Sequence, residues 1–156
     1  MPGWIVSSDH MRLGFPRTVR IIRSEDFGEL LHSDSPATIR LGRELASVSV
    51  ILNSCVGRVR FGFTVGKHNA PRSVDRALVK RVMRDCCRNK LPQFRALAAQ
   101  HGVGLEIGLR LRRPLGRVGS EAMTVDNAKR LVRESSELCL QAVVRRLPKS
   151  VSLYRK

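Results

Sequence analysis

Aromatic residues are scarce in this chain: five Phe, one Trp and one Tyr, or 4% of 156 residues. Such a composition poorly supplies a sheet that reads RNA through rows of exposed rings. Acidic residues are scarce too, 13 against 29 Lys and Arg, and the net charge of +16 goes far beyond what solubility requires. No run approaches the 18 or so apolar residues of a membrane span, so no membrane partner is expected. The opening MPGWIVSSDH lacks the basic-then-apolar layout of a secretory signal, and a cytoplasmic location is expected. The four cysteines, Cys55, Cys86, Cys87 and Cys139, form no CxxC pair, and His10, His32, His68 and His101 are scattered singly. Neither a zinc site nor a disulfide framework is signalled, and the cysteines read as small apolar core residues. Internal repeats and low-complexity runs are absent as well.

What is present is a basic chain with enough apolar material to fold. With 42% hydrophobic residues it can bury one core, and its length suits a single domain. Arg outnumbers Lys 23 to 6, which favours forked, planar recognition of phosphates and bases over diffuse attraction. Nucleic acid is the expected partner, and no obligate protein partner is evident.

Residues 1–10 show no periodicity and precede Met11, a second possible start, so they read as a disordered extension. A domain over 11–148 and a basic C-terminal tail over 149–156 follow. Ser24, before Glu25, Asp26 and the apolar set Phe27, Leu30 and Leu31, predicts an N-capped helix over about 25–32. Three alternating segments, TIRL, SVSVIL and RVRFGFTV, read as strands of an antiparallel sheet, with Asn53, Ser54 and Gly57 supplying a turn. A turn at Asn69, Ala70 and Pro71 leads to Ser73 as a cap, and the next breaker is Pro92, which predicts a helix over 74–91. FRALAAQ reads as a weak short helix and GLEIGLRLR, 104–112, as a further strand. Thr124 and Asp126 cap a last long helix, whose apolar set Ala128, Leu131, Val132, Leu138, Ala142 and Val143 continues until Pro148 stops it.

The helix after Ser73 is the most informative element. At about 100° per residue, Val74, Leu78, Val79, Val82, Met83 and Cys86 gather on one side, an apolar face suited to a core. Arg76, Lys80, Arg81, Arg84 and Arg88 fill the opposite arc. Like charges at this spacing repel, so the row calls for an external anion. No nucleophile–base pair, metal cluster or phosphate loop accompanies it.

Two long segments resemble the protein subunit of bacterial ribonuclease P, and the likeness extends over roughly 12–146. FPRTVRIIRSEDF, 15–27, is similar to that family's opening basic segment and first helix. RFGFTVGKHNAPRSVDRALVKRVMRD, 60–85, is similar to its central strand and basic signature helix. Arg76 matches the first Arg of the family's Arg-Asn-Arg triplet, Lys80 and Arg81 its Lys-Arg pair, Arg84 the next Arg, and Asp85 stands for Glu. Ala77 and Leu78 stand where the family has Asn and Arg.

The resemblance implies an α/β (α+β) single-domain sandwich in αβββαβα order, ribosomal-protein-like, with a left-handed βαβ crossover. It implies a subunit that assists a catalytic RNA in cutting the 5′ leader from precursor tRNA, with Mg2+ held mainly by the RNA and no catalytic residue in the protein. On that reading Arg72, Arg76, Lys80, Arg81, Arg84 and Arg88 bind the ribonuclease P RNA, while Phe27, Arg60, Thr64 and Lys67 line a cleft for the single-stranded leader. The alternative is a non-catalytic protein of ribosomal type that binds structured RNA. An RRM is less apt, because RFGFTV lacks Gly directly after its basic residue and its Phe61 and Phe63 suit a core. A helix-turn-helix is weaker still, since the basic helix follows a strand.

Overall fold

The structure, a computed structural model, describes residues 35–156. The helix expected over 25–32, Phe27 and the extension expected over 1–10 lie outside the described residues. Six elements follow one another: β1 (Ile39–Arg43), β2 (Ala46–Asn53), β3 (Val59–Thr64), α1 (Ser73–His101), β4 (Gly104–Leu111) and α2 (Val125–Tyr154). Their order, βββαβα, is the described part of the expected one, and the α+β class holds.

The sheet order is β1-β2-β4-β3. β1 pairs with β2, and β2 with β4, antiparallel, while β3 runs parallel to β4. This corrects the reading of the first three strands as one antiparallel sheet: β4 separates β3 from β2. The physical reason lies in β4, whose residues are all buried except Arg110. A strand so apolar gains most from a central position with partners on both edges. The connection from β2 to β3 is an Asx turn, in which the Cys55 amide donates to Asn53 Oδ1 at 2.9 Å, and it leads across β4 without pairing the flanking strands. Gly104 is required at this crossing, because a Cβ there would land on the Asn53 side chain and the Cys55 carbonyl.

Strict alternation in β2 sends Ala46, Val48, Val50 and Leu52 to one face of the sheet. Both helices cover that face, α1 against β3 and β4, α2 against β1 and β2, and the helices also pack on each other. Phe61 meets Phe94 of α1 edge-on, with ring centroids 6.1 Å apart, at the centre of the core. Such a pair adds about 0.5–1.5 kcal/mol beyond its area burial. Cys86, Cys87 and Cys139 are core residues as expected, whereas Cys55 is exposed in the β2–β3 turn.

Both expected helix ends are corrected. α1 continues through Pro92 to His101, absorbing FRALAAQ, and α2 continues through Pro148 to Tyr154. A proline inside a helix costs about 3 kcal/mol, yet both prolines are exposed, and burial of Leu91, Phe94 and Ala98, or of Leu147, Ser150 and Val151, outweighs that cost. What ends α1 is Gly102, whose φ of 69° is the left-handed region that favours glycine, with the Val103 amide returning to the Ala98 carbonyl at 3.0 Å. The segment expected as a tail is helical to Tyr154, Ser150 bonds the Ala37 carbonyl, and Arg155 caps α1 through the His101 carbonyl. At the other ends, Thr124 caps α2 by accepting from the Asn127 amide at 3.1 Å, as expected. Ser73 is the first helical residue of α1 and not its cap; the cap position is Arg72, which makes no side-chain capping bond. Val74 and Leu138, expected in the core, are 63% and 43% exposed.

Candidate nucleic-acid interface

α1 buries Asp75, Val79, Val82, Met83 and Cys86 over its first half, so the basic arc points away from the sheet. The arginines on and beside that arc are not equivalent. Arg72 grips the carboxylate of Asp75 through Nε at 3.0 Å and Nη2 at 2.8 Å, and Nη2 also donates to the Val118 carbonyl at 2.5 Å. That grip holds the buried Asp75 carboxyl below its ordinary range, against the opposing pull of desolvation. Arg76 donates to the carbonyls of Ala70 and Pro71 at 2.9 and 2.7 Å, bracing the turn before the helix. Arg88 pairs with Asp85 at 2.8 Å. Arg84 lies over the ring of half-buried Phe63, 5.9 Å from its centroid. Lys80 is half-buried and Arg81 exposed, and neither has an ion pair among the described residues. These two form the least committed part of the row.

The sheet face turned away from the helices carries the residues expected to line a leader cleft. Arg60 and Glu106 are direct register partners on β3 and β4, and their side chains form an ion pair that is largely buried. Arg60 is therefore a cation already paired within the sheet. Thr64 stands opposite Arg110 in the same register, and Lys67 is exposed just beyond the strand. Gly62 pairs with Gly108 between these rows, and both glycines are buried. Ser47 and Ser49, half-buried, follow on β2.

Sequence reading passed over Arg40 and Arg110, exposed on this face. Strand alternation in GLEIGLRLR signals Arg110, since it falls on the parity of Glu106 and not on that of the leucines. Phe27 lies outside the described residues. Among those described, no group of three His, Cys, Asp or Glu is placed to hold a metal ion, and no helix is long and apolar enough to cross a membrane.

Comparison with known proteins agrees with this architecture. The Staphylococcus aureus RNase P protein superposes with a TM-score of 0.54 at 18% identity, covering 81% of this chain and 96% of its own. A mutant of that protein with defective mRNA degradation activity gives 0.53 at 15% identity, covering 87% and 97%. At such identities the likeness is one of fold. The family model for Ribonuclease P matches residues 15–134, most of the chain and all of the basic half of α1. With that match laid over a basic helix face and a mixed sheet of the same fold, the chain belongs to the Ribonuclease P family and is a protein component of ribonuclease P, the endoribonuclease of tRNA 5′ maturation.

Proposed function

We propose that the chain binds the RNA subunit of ribonuclease P along the basic arc of α1 and holds the 5′ leader of precursor tRNA against the opposite face of the sheet. The observation that carries this reading is the position of Lys80 and Arg81: cations on the arc facing away from the core, without an internal counter-charge among the described residues. A helix that keeps such a row gains stability when phosphates relieve its repulsion. Arg84 and Arg88 extend the row, while Arg72 and Arg76 build the turn that aims it. On the sheet, Thr64 and Arg110 are register partners one row from the Gly62–Gly108 pair, and Lys67 follows just beyond the strand. The exposed cations Lys67 and Arg110 suit the backbone of an extended single strand and tolerate many leader sequences.

The chemistry is assigned to the RNA. Both carboxylates buried among the described residues, Asp75 and Glu106, are occupied by arginines, which supports a reading in which Mg2+ is held by the RNA and the protein supplies binding and electrostatics. A cytoplasmic place of action fits this role.

The test is cleavage of a precursor tRNA by the cognate RNA subunit at low Mg2+, with and without the protein. Rescue of correct 5′ cleavage is expected, and K80E/R81E is expected to abolish the rescue. RNA binding without rescue would favour the ribosomal-type alternative.

A further inference from the structure

The loop between β3 and α1 and the loop between β4 and α2 enclose a cavity of about 550 Å3 that neither surface above uses. His68, Pro71 and Arg72 form one wall, and Pro114, Gly116 and Arg117 the other, with Asn69 and Asp75 between them. Most of its polar groups are already committed. Asn69 Nδ2 donates to the Leu111 carbonyl at 3.0 Å, the Asn69 carbonyl accepts from the Leu115 amide at 3.0 Å, and Asp75 is held by Arg72. These bonds, with that from Arg72 to Val118, staple the two loops together, so the cavity stands open without needing a guest to shape it.

What remains for a guest is flat and cationic. The walls offer two proline rings, the exposed imidazole of His68, the exposed guanidinium of Arg117 and the guanidinium of Arg72, fixed by its bonds yet 41% exposed. Apart from the two prolines, no aliphatic side chain lines the space. Planar faces together with cations are the chemistry that receives an unstacked nucleobase and its phosphate. The volume falls in the range of about 300–1,000 Å3 usual for small-ligand sites. The position fits as well: Arg72 and Asp75 belong to the start of α1, and Lys80 lies about 12 Å farther along the axis at 1.5 Å per residue. Asp75 lies on the inner side of α1 and Lys80 on its outer arc, so RNA on the arc reaches the cavity by turning round the start of the helix.

We propose that this cavity takes one unstacked nucleotide of the RNA subunit, its base between the proline, imidazole and guanidinium faces and its phosphate on Arg117. The assignment rests on the reading that α1 binds that RNA. It makes the β3–α1 and β4–α2 loops a recognition element that reads a base, where the helix reads only backbone charge.

The test combines base-reactivity footprinting of the RNA subunit with affinity measured across a salt series, for the wild-type chain and for H68A, R117Q and K80Q/R81Q. His68 and Arg117 are exposed, so H68A and R117Q are expected to keep the wild-type thermal midpoint. One nucleotide is expected to change its base reactivity on binding the wild-type protein and to lose that change with H68A and with R117Q. Affinity is expected to fall about tenfold for H68A with an unchanged salt slope, the mark of lost stacking. R117Q is expected to reduce the slope by about one. If H68A and R117Q match wild type while K80Q/R81Q loses affinity, the cavity holds no RNA and the helix reading stands. If the footprint survives both cavity variants, the nucleotide lies elsewhere and the proposal falls. If K80Q/R81Q also binds like wild type, the helix reading fails and takes this one with it.

Discussion

Removing charge from the basic arc should expose which of its members meet RNA phosphates, because the structure divides them by what they already bind. Lys80 and Arg81 have no ion pair among the described residues, whereas Arg88 is paired with Asp85 at 2.8 Å. Each phosphate contact releases condensed counterions and contributes about 0.9 to the slope of log affinity against log salt on a duplex, and about 0.7 on a single strand. K80Q/R81Q is therefore expected to lower the slope by about 1.8, or about 1.4 if the contacted strand is single. At 0.1 M salt a slope difference of about 1.8 corresponds to about a 60-fold loss of affinity, shrinking toward nothing at 1 M. R88Q removes one cation but releases Asp85 as an uncompensated anion close by, so the repulsion it adds should appear as lost affinity rather than as a second full step in slope. The assay is equilibrium binding of the RNA subunit by filter retention or anisotropy between 50 and 300 mM monovalent salt. An unchanged slope in K80Q/R81Q would place the RNA elsewhere on the protein. A drop in R88Q as large as that of the double variant would refute the division by internal pairing.

Other outcomes follow from the same bonds. Pro92 is exposed inside α1, so P92A restores an amide donor without opening a cavity. Allowing for the freer unfolded chain, it is expected to stabilise the fold by about 2 kcal/mol in urea unfolding; a neutral or negative result would mean that the helix is shaped around the proline. Asp75 is held below its ordinary range by Arg72, so its stabilising contribution is complete above its unfolded pKa, near pH 4, and is lost as pH falls through the lower folded value. The drop in urea midpoint between pH 6 and pH 2.5 should therefore be smaller in D75N than in wild type. Burial pushes the thiols of Cys86 and Cys139 up to about 11 and that of Cys87 well above its ordinary value. Native titration with a thiol reagent at pH 7.5 should therefore modify Cys55 alone, and all four cysteines should react after denaturation. Rapid native reaction of more than one thiol would contradict the buried core.

Much of this protein was legible in the order of its residues, because the relevant signals are local. Period-two alternation marked β2 and β4, the spacing of Val79, Val82, Met83 and Cys86 marked the inner face of α1, and the same period placed Lys80, Arg81 and Arg84 opposite. Thr124 announced the start of α2 through a bond only three residues long. The two prolines misled for the converse reason: a breaker acts locally, while the apolar contacts of Phe94, Leu147 and Val151 that overrule it come from distant segments. The insertion of β4 between β2 and β3 depended on competition among strands for the central position, which no single segment encodes. The tertiary structure also decided what each cation is free to do. Arg60 meets Glu106 across 46 positions of sequence, and Arg72 reaches Val118 across the same separation. A charge is written in the chain at its own position, but the partner that neutralises, fixes or frees it is chosen only when the chain folds.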